Sequence, residues 1–429
     1  MSHKILTLFI LTVLFTYTSF PQERVDISSL SSDYVIRSSR EKFINDLDQK
    51  VKNIFSGQLN PQSEKNWKSL FREVELANYK SRSAFNAAGT AIKYAQNSNP
   101  SFQRATIELI YTLYQNDFFE DVKRIYENTN SPGVFSTASM YLINHFNNPV
   151  SKDSIRNMLH SKFPAYESDP ILRYLDLDMS ADDKRSFSDS LLVELLAHPF
   201  QRGKTIIYSF HRINRQYPGI TVIKKPDGRF LRESDSTIFH VTQLASSTSQ
   251  LPGYISQGDT PQGIFSIVGY YISPTESIGP TPIVLTRIPF EVSTEIFYHK
   301  EVKSRQWRYE DYKNLLPAGW QNYPWIFESW FAGNSGRKLI VMHGSTDDIS
   351  FFKNKPYYPL TPSKGCLTTK EIWSEETGKC IESDQAKLMN AFFSTGQLYG
   401  FLVVLNLENK NEAVTIDEIR PYILAAESD

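Results

Sequence analysis

The chain has 429 residues, enough for two or three domains and a full hydrophobic core. Its 46 basic and 47 acidic residues leave a formal net charge of −1, which gives no support to a charge-driven partner such as nucleic acid or an anionic membrane surface. Abundant aromatics, 28 Phe and 23 Tyr, speak for a folded chain rather than a disordered one.

The N-terminus reads as an export signal. Lys4 supplies a positive start, Ile5 to Phe20 supplies an apolar run, and Pro21-Gln22 returns the chain to polar sequence. Residues 1–21 are therefore expected to be a signal peptide, although an A-x-A cleavage pattern is missing. The alternative is an uncleaved membrane anchor, for which the run is short against the roughly 20 residues of a full span. Either way the remainder is expected outside the cytoplasm, in the periplasm or cell envelope.

Residues 22–200 carry helical periodicity. Phe43, Leu47, Val51 and Ile54 repeat at helical spacing, as do Trp67, Leu70, Phe71 and Val74. Further stripes are Ile107, Ile110, Tyr111 and Tyr114, then Phe118, Val122, Ile125 and Tyr126, then Ala138, Tyr141, Leu142, His145 and Phe146. Helix starts near 102, 118, 134 and 152 give a step of about 16 residues, hence pairs of about 33, the size of a helical-hairpin repeat. No repeat consensus accompanies the spacing. The segment reads as a helical domain of repeat-like spacing that either packs on the next domain or binds a protein partner. His145 lies on an apolar stripe and is expected to be a packed core histidine.

From 201 to 429 the pattern turns β-rich with long loops. Strands are expected over 204–210, 220–223, 229–231, 237–244, 263–268, 291–298 and 338–342, with a hairpin at Pro226-Asp227-Gly228. A helix over 384–393 precedes a strand over 400–405. Trp320, Tyr323, Trp325 and Trp330 fall in a long loop that reads as a local mini-core in preference to a substrate lid. The class is α+β, multidomain.

Two residues carry the chemistry. His343 ends the apolar run 338–342, and Cys366 follows Ser363-Lys364-Gly365, where glycine permits a tight turn with backbone N–H groups aimed at a ligand. A thiol needs a base to become a nucleophile, and imidazole is the usual one. The other cysteine is Cys380. A Cys366–Cys380 disulfide is the plain alternative in an exported protein, but the setting of Cys366 argues against it. His240 and His299 sit in strand-like runs and read as core or surface residues.

Three segments in order, Thr260-Pro261-Gln262-Gly263-Ile264-Phe265, His343-Gly344-Ser345 and Ser363-Lys364-Gly365-Cys366, resemble the catalytic domain of the L,D-transpeptidases, the YkuD-type peptidoglycan enzymes. The resemblance covers about residues 205–407 and leaves the helical half unexplained. It implies a β-rich catalytic domain over 201–429, with Cys366 as nucleophile and His343 as base. A backbone carbonyl at Gly344 or Ser345 would orient the imidazole. The N–H groups of Gly365 and Cys366 would face the oxyanion, and Ser363 would hold the loop. Thr260, Pro261 and Gly263 would be structural. The substrate implied is a peptidoglycan stem peptide, attacked at residue 3 with release of D-Ala; no metal or organic cofactor is needed.

This chain departs from the family pattern in places. Lys364 stands where many relatives have histidine, and Thr368 where many have arginine or asparagine. These two, with Tyr357 and Tyr358, are the candidate substrate contacts. Between His343 and Cys366 lie 22 residues, several more than usual, and 351–359 is the expected extra loop. There Tyr357 and Tyr358 read as packing before catalysis. Rival readings are an L,D-carboxypeptidase or hydrolase of the same fold, an inactive cell-wall-binding scaffold, and a sortase-like enzyme, which would need an arginine shortly after the cysteine. Papain-like peptidases place cysteine before histidine and are disfavoured by chain order.

Overall fold

The computed structural model describes residues 24–180, 187–302 and 305–428. The expected signal peptide, 1–21, lies outside them. Among the described residues no helix is long and apolar enough to cross a membrane.

Among the described residues nine α-helices come first: α1 (Arg37–Phe55), α2 (Glu64–Leu76), α3 (Arg82–Ala95), α4 (Pro100–Leu113), α5 (Phe119–Asn128), α6 (Pro132–Ile143), α7 (Lys152–Lys162), α8 (Pro170–Ser180) and α9 (Asp189–Ala197). Their starts follow sequence punctuation. Ser81, Asn99, Ser151 and Ser188 each accept a hydrogen bond from an N–H in the first turn, and Pro100 and Pro132 occupy the opening position, where a missing N–H costs nothing. The expected stripes are the buried faces: Leu47 and Val51 of α1, Trp67, Leu70, Phe71 and Val74 of α2, Ile107 and Ile110 of α4. His145 is buried against Phe119 and Tyr141, and its Nδ1 takes the N–H of Asn148, so it is a packed histidine as expected.

Eight strands then close a barrel: β1 (Thr205–Arg212), β2 (Gly219–Lys224), β3 (Val241–Leu244), β4 (Gly263–Tyr271), β5 (Ile283–Arg287), β6 (Met342–His343), β7 (Leu367–Thr369) and, separated from these by the hairpin β8 (Glu371–Trp373) and β9 (Cys380–Ser383), β10 (Tyr399–Leu407). The order around the barrel is β1-β10-β4-β5-β6-β7-β3-β2. The pairs β1/β10 and β6/β7 are parallel and the others antiparallel. Helices α10 (Thr294–Tyr298), α11 (Tyr309–Lys313) and α12 (Glu328–Asn334) fill the β5–β6 connection. Helix α13 (Asp384–Ser394) precedes β10, and α14 (Ile416–Ser428) follows it. The chain is thus α+β.

Strand alternation divides the core. Ile207, Ile223, Phe265, Ile267, Met342, Leu367, Leu402 and Val404 pack with Leu388, Met389 and Phe392 of α13. Their neighbours Ile206, Tyr208, Phe210, Val222, Ile264, Phe401 and Val403 belong instead to a cluster that runs without a break through α1–α9. The helical half and the barrel therefore share one core. Tyr174 of α8 stacks near Tyr254 and Phe331 at 4.8 and 5.5 Å, and the Tyr254 hydroxyl donates to Asp178 of α8 at 3.2 Å.

Several expectations need correction. Residues 291–298 are not a strand: Ser293 precedes the short helix α10, whose turn sets Phe297 and Tyr298 into the core. His299 caps that helix at φ +52 and its Nε2 lies 2.8 Å from the Gly400 carbonyl, so it is not on a strand. Within 338–342 only Met342 pairs as strand, because Leu339 has φ +61 and turns the backbone out of the extended line. The return strand at 229–231 is a single bridge, Lys224 to Phe230, beyond the turn that Gly228 closes onto the Lys225 carbonyl. The tryptophan loop is not a core of its own but part of the large shared one: Trp320 is fully buried and its Nε1 donates to the Leu191 carbonyl of α9, and Trp330 packs against Phe290, Trp307 and Tyr312.

A shared core has a thermodynamic consequence. Truncating Tyr174 to Ala is expected to cost about 3–5 kcal/mol and to lower one common melting transition, followed by far-ultraviolet dichroism for the helices and tryptophan fluorescence for the barrel. Two separately moving transitions would contradict the shared core.

Candidate active site

The parallel pairing of β6 with β7 is what places the candidate pair. Met342 faces Leu367 and His343 faces Thr368, with the Leu367 N–H donating to the Val341 carbonyl at 3.0 Å. Met342 and Leu367 point into the inner core. By alternation His343 and Cys366 lie on the opposite side of the two strands, one diagonal apart.

The imidazole is fixed. His343 is buried, and its Nδ1 donates to the carbonyl of Gly344. A carbonyl can only accept, so the proton sits on Nδ1 and Nε2 is the free base nitrogen. Burial lowers the His343 pKa and keeps the ring neutral. Of the two expected orienting carbonyls, the structure selects Gly344. Ser345 acts elsewhere: its hydroxyl takes the Asp347 N–H at 3.1 Å and its carbonyl takes Trp373 Nε1 at 2.9 Å. Gly344 is needed for close approach, because a Cβ there would meet the Glu371 carboxylate at 2.1 Å. That carboxylate accepts from Thr281 and Ser383 at 2.6 Å each, and burial raises its pKa to about 7.

The cysteine loop is equally built. Ser363 Oγ donates to the Cys366 carbonyl at 2.9 Å and accepts the Gly365 N–H at 3.0 Å, so it does hold the loop. The same bond occupies the Gly365 N–H, one of the two expected oxyanion donors. Thr260 Oγ1 donates to the Gly365 carbonyl at 3.0 Å, which is how the first motif reaches the third. Gly365 has φ +107, and a Cβ there would sit 2.2 Å from Arg337 Nη2.

The thiol has some open surface but sits deep among neighbouring atoms. It donates to the Leu339 carbonyl at 3.4 Å and forms no hydrogen bond with His343. Burial pushes its pKa up, opposed by the Val341 backbone and by Arg337, and reinforced by Glu291. Glu291 in turn anchors the Leu339 N–H at 3.1 Å. At neutral pH the thiol and the imidazole, on adjoining strands, are therefore both uncharged.

The four candidate substrate contacts fare differently. Lys364 Nζ pairs with Glu75 of α2 at 3.1 Å, so the helical half covers this flank of the loop. Thr368 is 1 % exposed and its hydroxyl donates to the Thr361 carbonyl at 2.6 Å. Its side chain is turned into the protein, which leaves almost no open surface for a contact. Tyr357 is buried with Leu244, Phe352 and Leu360, so packing is its role, while Tyr358 is exposed. Cys366 and Cys380 are both free; Cys380 lies in β9 against Leu30, Val35 and Trp373.

Arg337 was not singled out from sequence. It is buried and donates to the carbonyls of Gly253, Gly258 and Asp259, the last two at 2.9 and 2.8 Å. Burial lowers its pKa to about 10, which still leaves it cationic beside the cysteine loop. An arginine just ahead of the apolar run was the available signal. Among the described residues no cluster of His, Cys, Asp and Glu is arranged to hold a metal ion. Neither His343 nor Cys366 lines the large cleft between the two halves, which lies beyond Asp259 and Thr260.

No family profile, curated protein or solved structure matches the chain.

Two outcomes follow from this geometry. Because its folded pKa is raised, the Cys366 thiol is mostly protonated at neutral pH, and its iodoacetamide alkylation rate should climb by up to about tenfold per pH unit between roughly pH 7 and 9. Cys380, pushed to about 12 by burial, should label later. A rate flat over that range, read by mass spectrometry of the native protein, would contradict a raised thiol pKa. Gly365→Ala should cost at least about 1–3 kcal/mol from backbone strain alone, measured by denaturant unfolding, and should abolish selective labelling of Cys366.

Proposed function

We propose that the protein is a cysteine-dependent L,D-transpeptidase acting on peptidoglycan stem peptides, with residues 22–200 as an accessory helical domain and 201–429 as the catalytic one. The reading carries with it export to the periplasm or cell envelope, where the substrate lies. The observation that supports it most is the β6/β7 register, which puts Cys366 and an imidazole of fixed tautomer, His343, on one side of two adjoining strands.

The chemistry balances with these groups alone. Sγ attacks the carbonyl carbon of stem residue 3 while its proton passes to His343 Nε2, which avoids a free thiolate in a buried site. The developing oxyanion takes the Cys366 N–H; one such donor is often worth roughly 3–4 kcal/mol. The C–N bond to D-Ala breaks, and His343 returns the proton to the leaving amine. A thioester remains on Cys366. An acceptor amine attacks it, the C–S bond breaks, and the thiol regains its proton through His343. Water in place of the amine would give the carboxypeptidase variant. The Gly344 carbonyl and the Glu371 carboxylate against it keep the imidazole aimed through both steps.

The test is incubation of the chain from residue 24 onward with purified muropeptides bearing tetrapeptide stems, read by chromatography and mass spectrometry. Release of D-Ala or appearance of 3–3 crosslinked dimers is expected, lost in Cys366→Ala and reduced about a hundredfold to ten-thousandfold in His343→Gln. Unchanged muropeptides with the intact protein, or equal products from Cys366→Ala, would overturn the proposal.

A further inference from the structure

A cleft of about 470 Å³ lies between the helical half and the barrel. That falls within the roughly 300–1,000 Å³ usual for small-ligand sites. Its charged wall residues are engaged by the protein itself. Asp178 accepts from the Tyr254 hydroxyl at 3.2 Å, and Arg215 donates to the Thr260 carbonyl at 3.1 Å. Asp259 accepts from the Ser247 N–H at 2.6 Å and Glu328 from the Gln262 N–H at 2.8 Å. Lys152 has a partner as well. These walls therefore do not select a charged ligand.

What they leave open is a set of carboxamides. Gln115 follows α4, Asn214 and Gln216 lie in the β1–β2 connection, and Gln250 lies between β3 and β4. All four are only partly buried, so each keeps open surface. Among the described residues the Gln115, Gln216 and Gln250 carboxamides have no hydrogen-bond partner, and Asn214 commits only its Oδ1, to the Gln216 N–H at 3.1 Å. A carboxamide donates through its nitrogen and accepts through its oxygen. That double character matches the hydroxyl and acetamido groups of a sugar, which also donate and accept and carry no charge. Trp325 lines the same cleft and is partly buried. Its indole N–H is shut away from the cleft, so what it offers is apolar ring, a surface on which the C–H face of a sugar ring packs.

We propose that this cleft is a binding site for an uncharged N-acetylated saccharide. The choice of sugar rests on the peptidoglycan reading, because the stem peptide is carried on a glycan of such sugars; the open carboxamides call for an uncharged polyol in any case. The cleft adjoins the cysteine loop through Thr260, which lines it and whose hydroxyl binds the Gly365 carbonyl at 3.0 Å.

Calorimetric titration of the protein with the β-1,4-linked trimer of N-acetylglucosamine tests this. The trimer carries no stem peptide, so binding is read without turnover and independently of the muropeptide assay. Saturable binding with a Kd of about 1 mM or tighter is expected. Gln115→Ala and Gln216→Ala, one from each half, should each weaken it about threefold and together about tenfold. Neither carboxamide is bonded within the described protein, so both variants should melt like the parent. Maltotriose, which has hydroxyls but no acetamido groups, should bind at least about threefold more weakly. Absence of saturable heat up to about 10 mM trimer, or unchanged affinity in the double variant, would overturn the proposal. Equal affinity for maltotriose would overturn the assignment to an N-acetylated sugar.

Discussion

The two-residue strand β6 bears more of this structure than its length suggests. It joins β5 to β7 through one antiparallel pair, Val284 with Met342, and two parallel pairs, so the barrel closes through it. The same two residues divide the labour of fold and site. Met342 goes into the inner core and His343 goes to the other side, beside the cysteine loop. A one-residue slip in the pairing would exchange them, burying the imidazole in an apolar core and moving the base away from the thiol. The flanks enforce the register. Leu339, at φ +61, bends the chain into β6, and Gly365, at φ +107, bends it into β7.

Around this pairing the charged groups act as braces. Arg337 ties the 253–259 loop under the cysteine, Glu291 holds Leu339 where its carbonyl meets the thiol, and Glu371 fills the space against Gly344. Burying such groups is costly unless their hydrogen bonds are made; Arg337 makes three, and Glu291 and Glu371 accept two each. The same burial raises the thiol pKa and lowers that of the imidazole, which sets up a neutral resting pair. The Glu75–Lys364 ion pair extends the bracing into the helical half, so that α2 is part of the wall beside the cysteine.

Much of this was legible in the sequence, for physical reasons. Amphipathic stripes such as Trp67, Leu70, Phe71 and Val74 can be buried in only one way, and the strands at 205–212, 263–271 and 399–407 are long apolar runs with one natural period. Short elements were not legible. Residues 291–298 alternate like a strand yet form helix α10, because five residues do not separate the two periods. Local sequence also could not see partners far along the chain. Thr368 stood where a substrate contact was expected, but the Thr361 carbonyl claims it; Lys364 is claimed by Glu75, 289 residues away. Ser363, Gly365 and His343 were readable as a set because their geometry is local to two turns, whereas Arg337 acts on carbonyls about 80 residues earlier.

The central claim is that Cys366, with His343 as its base, forms an acyl-enzyme. A strained β-lactam of the carbapenem type supplies an acyl group whose leaving nitrogen stays attached, so the acyl-enzyme is trapped. Intact-protein mass spectrometry after incubation, followed by peptide mapping, measures it directly. The account predicts a single adduct carrying the whole carbapenem mass on the peptide containing Cys366, absent in Cys366→Ala and formed far more slowly in His343→Gln. An unmodified protein, or an adduct that persists in Cys366→Ala, would contradict it.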